Sequence, residues 1–463
     1  MESALPLLLV VLLSAQLAFC GQLVEYLPGY PGKLPFKLET GYIQVGASEM
    51  FYYFIESQGD PRTDPLFLWL TGGPGCSSLS GILYEIGPIE FDIDSYLGGI
   101  PPLKYYPYAW TKTASIVFLD SPVGTGFSYS VTQEGWVSSD TKAAKEAYEF
   151  FLKWLDENRQ YLGLQIFVGG DSYSGIIVPL VTKHIVEGNE AGVIPFVNLK
   201  GYLLGSPRTD SVLDENSKIK FAHRMALISD EIYDAAKTSC NENYVDVDPT
   251  NTACMLALQQ YQKCVKDVWT NDILEPNCVF ASTRPHETWR STRSLEEDGN
   301  FILSPPKIPS LWCRAFNYAL ADVWANDGTV RDALHIRKGT IEPWKRCNLT
   351  ISYTKDQLSV VYAHRFLSNK SLLVLVESGD RDMVVPFVGT VEWIKSLNLT
   401  IDIDWHPWFV DGQVAGYTRK YKYSDDTYRL VYATVKGGGH TAPEYYRKRC
   451  YFMFDRWVHW YPL

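Results

Sequence analysis

The stretch Ile166-Phe167-Val168-Gly169-Gly170-Asp171-Ser172-Tyr173-Ser174-Gly175 decides the fold. It begins with apolar or small residues, as in a strand buried on both faces, and an apolar segment of helical character follows it. Between a strand and a helix, Gly170 to Gly175 is close to the G-x-S-x-G pattern of a nucleophile elbow, a sharp turn that exposes the serine Oγ, with Ser174 at the place of the second glycine. Gly170, two places before Ser172, and Gly175, three places after it, let strand and helix approach closely. The stretch therefore predicts Ser172 as a nucleophile at a strand end.

Similar strands are predicted on both sides of this stretch. Apolar runs rich in β-formers cover 66–71, 115–120, 166–169 and 372–377, with a weaker run at 429–435. Between the second and third runs, residues 141–158 carry apolar side chains at helical spacing, and Ser139 or Asp140 can cap their start. Strand, helix and strand in this order form the unit of an α/β sheet. We predict an α/β fold with a mixed, mostly parallel central sheet flanked by helices.

A serine nucleophile needs a base, and His440 is the predicted base. It follows Gly437-Gly438-Gly439 directly after a strand run, so that a flexible turn presents it at a strand end. The alternative is a glycine-rich hairpin that carries an incidental histidine. The other seven histidines, predicted to be structural, are His184, His223, His286, His335, His364, His406 and His459.

The carboxylate that orients the base is expected in Ser378-Gly379-Asp380-Arg381-Asp382, again just after a strand. The pattern alone leaves Asp380 and Asp382 open, because Asp380 could merely cap the turn. The chain order of serine, aspartate and histidine is that of the α/β-hydrolase fold. We therefore predict an α/β-hydrolase fold with a catalytic triad.

Two backbone amides are needed to stabilise the oxyanion that serine attack creates. The amide of Tyr173, the residue after the nucleophile, is predicted to supply one. The loop Thr71-Gly72-Gly73-Pro74-Gly75 is predicted to supply the other, since it ends the first strong strand and its glycines let amides face a substrate. Taken alone this loop could be a tight turn, but motifs at four strand ends favour a functional interpretation.

The composition excludes several classes of function. An apolar fraction of 46% and a charged fraction of 21% argue against disorder. A net charge of −11 without a compact basic stripe offers no electrostatic footprint for nucleic acid or an anionic membrane. Residues 1–20 contain a short apolar run and predict a signal peptide, with a buried N-terminal strand as the alternative. We expect a protein of the secretory pathway, vacuolar or extracellular.

The cysteines agree with export. Eight remain after residues 1–20 are removed, and their even number, wide spacing and lack of a CxxC pair favour disulfides over a zinc site. No metal or other cofactor is expected. Sequons at Asn348, Asn369 and Asn398 predict glycans on an exported chain.

The chain is predicted to consist of a core with one insertion. Residues 21–209 and 321–463 form the two parts of the core, and residues 210–320, charged and rich in cysteine, form a helical insertion stapled by disulfides. Within the insertion, the polar stretch 281–300 predicts a surface loop open to proteolysis. Excision of this loop would give a self-derived heterodimer.

Several segments resemble the serine carboxypeptidase family. They are residues 68–78 with the sequence LWLTGGPGCSS, residues 120–129 with DSPVGTGFSY, the Ser172 elbow, residues 378–382 and residues 437–443. The resemblance runs from about residue 36 to the C-terminus. It implies Asp382 as the triad acid, beside Ser172 and His440, and Gly73 and Tyr173 as oxyanion donors.

The same resemblance implies a set of disulfides. The implied pairs are Cys76 with Cys347, Cys240 with Cys254, and Cys278 with Cys313. Cys264 and Cys450 are then left over.

The sequence departs from the family's peptidases in the residues that read a peptide's terminal carboxylate. Glu85 keeps one of the paired glutamates, but Thr71 replaces an expected asparagine and Asp171 replaces the second glutamate. Thr lacks the amide donor and Asp is one methylene shorter, so the acid pair would not meet in the same geometry. Both changes resemble the plant serine carboxypeptidase-like acyltransferases.

That resemblance implies transfer of an acyl group from a 1-O-β-acylglucose donor to an alcohol acceptor. Trp69 and Gly72 are expected to join Thr71, Glu85 and Asp171 in binding the substrates. The alternatives are a carboxypeptidase, a cyanohydrin-cleaving lyase as in another branch of the family, and a binding protein without catalysis.

Overall fold

A large mixed β-sheet forms the centre of the protein. The structure, a computed structural model, describes residues 21–277, 314–423 and 427–463. The predicted signal peptide, the loop at 281–300, Cys278 and Cys313 therefore lie outside the described residues. The strands are β1 (Gly21–Val24), β2 (Leu38–Val45), β3 (Ser48–Ile55), β4 (Leu66–Leu70), β5 (Ile89–Phe91), β6 (Leu103–Tyr105), β7 (Ser115–Leu119), β8 (Tyr129–Ser130), β9 (Val137–Ser139), β10 (Ile166–Asp171), β11 (Leu199–Gly205), β12 (Ser352–Thr354), β13 (Leu373–Gly379), β14 (Thr400–Val410), β15 (Gln413–Lys422) and β16 (Arg429–Val435).

The sheet is parallel in its middle and antiparallel at both edges. The strand order is β1-β2-β3-β7-β4-β10-β11-β13-β16-β15-β14, with β8 attached to β3. The strands from β7 to β16 in this order run parallel to one another. The outer strands join in antiparallel pairs. All five predicted strand runs are strands of this sheet, and the predicted fold class is confirmed.

Helices cover both faces of the sheet. Within the described residues they are α1 (Asp140–Glu157), α2 (Ser174–Glu190), α3 (Ser211–Arg224), α4 (Asp230–Cys240), α5 (Thr252–Val265), α6 (Arg314–Ala325), α7 (Gly328–Ala333), α8 (Val361–Leu367), α9 (Phe387–Ser396) and α10 (Ala442–Val458). The predicted helix at 141–158 is α1, and Ser139 caps it by accepting the amide hydrogen of Lys142 at 3.2 Å.

Alternate side chains of the parallel strands enter two separate apolar cores. On one face, Phe167 and Leu375 pack in the cluster that contains buried side chains of α6 and α10. On the other face, Val168 and Leu204 pack in the cluster that contains side chains of α1 and α2. Burial on both faces explains why the strand sequences are continuously apolar.

The insertion forms a small helical unit beside the core. Its helices α3, α4 and α5 share an apolar cluster that contains Phe221 and Tyr261, and Met383 of the core joins the same cluster. The disulfide Cys240–Cys254 ties α4 to α5, as the family resemblance implies. The insertion is therefore stapled internally and also packed against the core.

The predicted insertion boundary at residue 320 needs a correction. Residue 320 lies inside α6, whose Leu320 and Trp324 are buried in the core cluster of the sheet. Because the apolar face of α6 packs with α10 against the sheet, the core resumes no later than Arg314 among the described residues.

None of the helices in the described ranges has both the length and the apolar character that a membrane span requires. The same ranges contain no group of three or more His, Cys, Asp or Glu side chains arranged to hold a metal ion.

Candidate active site

Ser172 lies on a strained turn between β10 and α2. Its φ is 54°, in the left-handed region that non-glycine residues rarely adopt. Its carbonyl accepts the amide hydrogen of Arg208 at 2.9 Å. A Cβ at Gly170 would stand 2.3 Å from the Leu70 carbonyl oxygen, and one at Gly175 would stand 2.4 Å from the Arg208 carbonyl oxygen. Both glycines are therefore required, as the elbow pattern predicts.

Ser172, His440 and Asp382 form a continuous hydrogen-bonded chain. The His440 Nε2 is 2.7 Å from the Ser172 Oγ, and the His440 Nδ1 is 2.8 Å from the Asp382 Oδ2. Asp382 is fully buried, and its Oδ1 accepts the amide hydrogens of Val384 and Val385 at 2.7 and 3.1 Å. When Nδ1–H donates to Asp382, Nε2 can accept the serine proton. This arrangement can activate Ser172 for attack on a carbonyl carbon.

Asp380 occupies a different place in the same loop. Its Oδ1 accepts the amide hydrogen of Gly437 at 2.7 Å, which joins the loop after β13 to the loop that carries His440. Of the two aspartates that the pattern leaves open, Asp382 is the one hydrogen-bonded to the imidazole.

The carboxylates around His440 make its imidazole more basic than free imidazole. Burial lowers the pKa of His440, but the carboxylate of Asp382, and after it those of Asp171 and Glu444, raise the pKa by more. The net pKa of His440 is raised, which suits a base that must hold a proton between two steps of a reaction.

The glycine-rich loop at 71–75 lies directly against the elbow. A Cβ at Gly72 would stand 2.7 Å from the Ser172 Cβ and 2.8 Å from the Tyr173 nitrogen, so only glycine permits the contact. Within residues 21–277, 314–423 and 427–463, the amides of Gly73 and Tyr173 have no hydrogen-bond acceptor. Both predicted oxyanion donors are therefore free to bind a developing negative charge.

Asp120, the residue after β7, joins this loop to β7, the strand next to β4. Its fully buried carboxylate accepts hydrogens from the Ser77 hydroxyl at 2.7 Å, the Ser78 amide at 2.8 Å and the Phe127 amide at 2.9 Å. One carboxylate thus joins two of the segments that resemble the family, 68–78 and 120–129.

The disulfide Cys76–Cys347 fixes the same loop to the second part of the core. Beside it, the backbone amide of Asn348 donates to the Gly75 carbonyl at 2.8 Å. The family resemblance implies this pair. The two cysteines left over are free thiols, with Cys264 exposed and Cys450 buried.

The comparison with protein families agrees with these observations. The family model for serine carboxypeptidase matches residues 28–460, nearly the whole chain. The chain belongs to the serine carboxypeptidase family. "Serine carboxypeptidase-like 17" of Arabidopsis thaliana is 46% identical over 459 residues, which cover 98% of this chain and 97% of the relative. "Serine carboxypeptidase-like 2" of the same plant is 44% identical over 466 residues, which cover 100% and 98%.

A solved structure supports the same fold. The prohormone-processing carboxypeptidase Kex1(delta)p of Saccharomyces cerevisiae superimposes with a TM-score of 0.69, covering 92% of this chain and 91% of that one. Its sequence identity is 18%, so the likeness concerns the fold alone.

Two residues that depart from the family's peptidases, Thr71 and Asp171, lie close to the triad of this serine carboxypeptidase family member. Glu85, the acid that the family pairs with position 171, lies there too. The Asp171 Oδ1 accepts the Gly72 amide hydrogen at 3.3 Å. The Thr71 Oγ1 and the Glu85 Oε2 are buried and have no partner among the described residues. No hydrogen bond joins the carboxyls of Glu85 and Asp171 there. Unpartnered buried polar atoms cost free energy, so these atoms are candidates for ligand contacts.

Burial also changes the acidity of both carboxyls. It raises the pKa of Glu85 well above its usual value, and repulsion from Asp171 adds to this. It raises the pKa of Asp171 to about 6, although attraction to His440 lowers it. Of the two carboxyls, Glu85 is therefore disfavoured as an anion by burial and by repulsion from Asp171, whereas attraction to His440 favours the Asp171 carboxylate.

Trp69 does not line the pocket as predicted. Its indole is 1% exposed and packs edge-on against Trp110, with ring centroids 5.5 Å apart, because β4 directs it into the core. A pocket beside the elbow is lined instead by Thr71, Tyr173 and Tyr353, among other residues. Both tyrosine hydroxyls donate to one buried carboxylate, that of Asp140, at 2.9 and 2.8 Å.

The insertion holds both catalytic loops through its backbone. The His440 amide donates to the Asn271 carbonyl at 2.6 Å, and the Met383 amide donates to the Thr270 carbonyl at 2.9 Å. Backbone contacts of this kind leave no trace in the types of residue involved.

The three sequons lie in different surroundings. Asn369 and Asn398 are exposed. Asn348 is half-buried, and its amide nitrogen donates to the Gly124 carbonyl at 3.0 Å. Glycosylation at all three stays a prediction, with Asn348 the least accessible.

We expect the fold to be most stable between about pH 4 and 5 and to lose stability toward pH 8. Burial raises the pKa of Asp120 and Asp171 to about 6, of Asp214 to about 7 and of Glu377 to about 8. In the unfolded chain these groups ionise near pH 4, so a rise in pH through this window favours unfolding. His364 opposes the trend, since burial lowers its pKa to about 3 and acid therefore favours its unfolded form. The combined effect of the four carboxyls on the stability of the fold exceeds that of the one imidazole.

Thermal unfolding scans across this range would measure the effect. The Tm is expected to fall by roughly 3–5 °C between pH 5 and pH 8. Asp214→Asn keeps an acceptor for the Thr209 and Asp210 amides, now 2.9 and 3.2 Å from Oδ2, but cannot ionise, so its Tm should fall less. A Tm that rises toward pH 8 would contradict the prediction.

Proposed function

We propose that this protein is an acyltransferase of the serine carboxypeptidase family. It moves an acyl group of the hydroxycinnamoyl, benzoyl or galloyl type from a 1-O-β-acylglucose to an alcohol, through an ester on Ser172. Membership of the family supports the serine-enzyme chemistry. The choice of transfer over peptide hydrolysis is our inference from the residues next to the triad.

The chemical character of the buried atoms beside the triad carries the proposal. A peptide's terminal carboxylate is best bound by hydrogen-bond donors or a cation. Here Thr71 brings a hydroxyl in place of an amide, while Glu85 and Asp171 bring carboxyl oxygens, one of them unpartnered. A glucose leaving group offers several hydroxyl hydrogens, which such oxygens can accept. These residues therefore suit a sugar better than a second carboxylate.

In the first half of the proposed reaction, the Ser172 Oγ attacks the ester carbonyl of the donor as His440 Nε2 takes the hydroxyl proton. The Gly73 and Tyr173 amides bind the oxyanion, and Asp382 stabilises the imidazolium. The bond between the carbonyl carbon and the glucose oxygen then breaks. His440 gives its proton to that oxygen, so glucose leaves and the acyl group stays on Ser172.

In the second half, the acceptor alcohol repeats the attack on the acyl-Ser172 ester. His440 takes the alcohol proton, the bond between the carbonyl carbon and the Ser172 Oγ breaks, and His440 returns a proton to the serine. Transfer prevails over hydrolysis when the alcohol is held better than water, since orientation alone can contribute several orders of magnitude in rate.

A carboxypeptidase is the second candidate, and one observation favours it. Burial, followed by repulsion from Asp171, raises the pKa of Glu85. A protonated Glu85 can donate a hydrogen bond to the terminal carboxylate of a peptide at acidic pH. This reaction would use the same triad and the same acyl-Ser172 chemistry.

Product analysis can separate the two reactions. Glycosylated protein from a eukaryotic host would receive a galloyl- or hydroxycinnamoyl-glucose with pooled alcohols and, separately, a blocked dipeptide at mildly acidic pH. Wild type is expected to form a new ester and to release the dipeptide's C-terminal residue at least about tenfold more slowly. Release of that residue with no ester formed would contradict the proposal.

The double variant Thr71→Asn/Asp171→Glu tests the residues behind the proposal. It restores the amide donor and the longer acid that peptide carboxylate binding uses, so the ratio of ester formation to peptide cleavage should fall by about tenfold or more. An unchanged ratio would mean that these two positions do not set the reaction. Mass spectrometry of both product classes gives the ratio directly.

The location in the vacuole or outside the cell stays a prediction, as does a heterodimer formed by excision of the 281–300 loop. The proposed partners are the small-molecule donor and acceptor, with no nucleic acid and no membrane.

A further inference from the structure

Glu377 is a carboxyl group buried at the carboxyl end of β13. Along this strand, Leu373 and Leu375 enter the apolar core that α10 covers, and Glu377 continues the same alternation. It is 2% exposed, where the pattern would place another apolar side chain. The triad acid Asp382 follows in the loop after the same strand.

The glycine on the neighbouring strand gives Glu377 room beside Asp171. A Cβ at Gly205 would stand 2.8 Å from the Glu377 Oε1 and 3.4 Å from the Asp171 Cβ. The side chains of Glu377 and Asp171 thus share the space above Gly205, and Glu377 lies on the side of the apolar core. The Glu377 Oε2 is buried and has no hydrogen-bond partner in the described residues.

In the described part of the chain, the charges that act on Glu377 are those of other acids, with no cation among them. The groups that face it are Asp171 on β10, Asp382 after β13, Tyr432 on β16 and Cys450 on α10. Burial first, and then repulsion from Asp171 and Asp382, raises its pKa to about 8. Two carboxyls this close in a buried place cannot both ionise cheaply.

We propose that Glu377 and Asp171 form an unequal carboxyl pair, in which Glu377 keeps its proton and Asp171 carries the single negative charge. Glu377 is then a positioning residue. It closes the inner side of the site with a neutral acid and leaves the Asp171 carboxylate directed between the Gly72 amide and the substrate. The inference rests on the proposed function only in that Asp171 is taken to contact the leaving group.

Two variants separate the proton from the shape of the side chain. Glu377→Gln keeps the size and a neutral hydrogen-bonding group, whereas Glu377→Leu keeps only the bulk, in a core that already holds Leu373 and Leu375. The Gln variant should retain the KM for acylglucose within about twofold. The Leu variant should raise this KM about tenfold with a smaller change in kcat, as expected when a charged contact loses its support.

Coupling to Asp171 can be measured with a double-mutant cycle. In an Asp171→Asn background, Glu377→Leu should change the KM by less than about twofold, because the partner that it positions no longer carries a charge. An equal effect of Glu377→Leu in both backgrounds would overturn the pairing. Thermal unfolding of each variant establishes that it is folded.

A measurement that needs no acyl donor tests the role of Glu377 independently of the proposed function. An organophosphorus fluoride phosphorylates an activated serine, with loss of fluoride, whatever the natural substrate. Its rate of reaction with Ser172 in wild type should change about twofold near pH 8, since Glu377 then gains a charge beside Asp171 and Asp382, the carboxylates that act on His440, and Glu377→Gln should lack this inflection. A wild-type profile without the inflection would overturn the inference. Labelling with the inflection, but without use of acylglucose, would refute the proposed function alone.

Discussion

Replacement of Ser172 with alanine is expected to lower kcat by about four to six orders of magnitude. The reason is geometric: the Ser172 Oγ is the one hydroxyl that is 2.7 Å from the His440 Nε2 in the described hydrogen bonds. Without it no acyl-enzyme can form, whatever the leaving group and acceptor. The remaining activity would come from the oxyanion donors and from substrate binding.

Ser174→Ala is the matched control for this variant. Ser174 is buried two residues away, and its hydroxyl donates to the Asp171 carbonyl at 2.6 Å instead of to the imidazole. Its loss should change kcat by less than about tenfold. Mass spectrometry of the protein mixed rapidly with acylglucose would show an added acyl mass in wild type and Ser174→Ala but not in Ser172→Ala. Turnover by Ser172→Ala near the wild-type rate would exclude serine catalysis at this site.

Asp382→Asn is expected to lower kcat by about 10⁴-fold while the fold persists. Asparagine can still accept the Val384 and Val385 amide hydrogens with its oxygen, which now stand 2.7 and 3.1 Å from the Asp382 Oδ1. Its NH2 group would then face the His440 Nδ1 and hold the tautomer whose Nε2 carries the hydrogen. That tautomer cannot accept the serine proton.

Asp380→Asn provides the comparison, because it lies in the same loop and undergoes the same change of charge. Asp380 accepts the Gly437 amide hydrogen at 2.7 Å and does not contact the imidazole in the described structure. It should therefore lose less than about tenfold in kcat. Steady-state kinetics of the two variants at one pH make the test, and a larger loss in Asp380→Asn than in Asp382→Asn would reverse the assignment of the triad acid.

The local order of the site was accessible from the sequence because each motif ends a strand. The apolar runs predicted the parallel strands, and the ends of parallel strands meet at one edge of a sheet. This places Ser172, Asp382 and His440 together without knowledge of distances. The choice between Asp380 and Asp382 needed either the resemblance or the hydrogen bond to His440, since both aspartates satisfy the pattern.

Other features depend on contacts between segments that are distant in the chain. Trp69 carries the same aromatic chemistry in a core as in a pocket, so residue type alone could not assign it. Asn271 acts on His440 through its carbonyl, which every residue possesses. Glu377 did leave a sign, a charged residue in a strand that is otherwise apolar, but its meaning depends on Gly205 on the next strand, β11, and on Asp171 on β10 beyond it.

The disulfide Cys76–Cys347 spans 271 residues, and this has a consequence for synthesis at the ribosome. The loop that carries Gly73 emerges early, yet its covalent anchor emerges only with the last third of the chain. Asp382 and His440 come later still. A nascent chain that stops before residue 347 would hold a complete Ser172 elbow next to an unanchored oxyanion loop, without acid or base. The order of translation therefore leaves the nucleophile without its acid and base until the last part of the chain has been made.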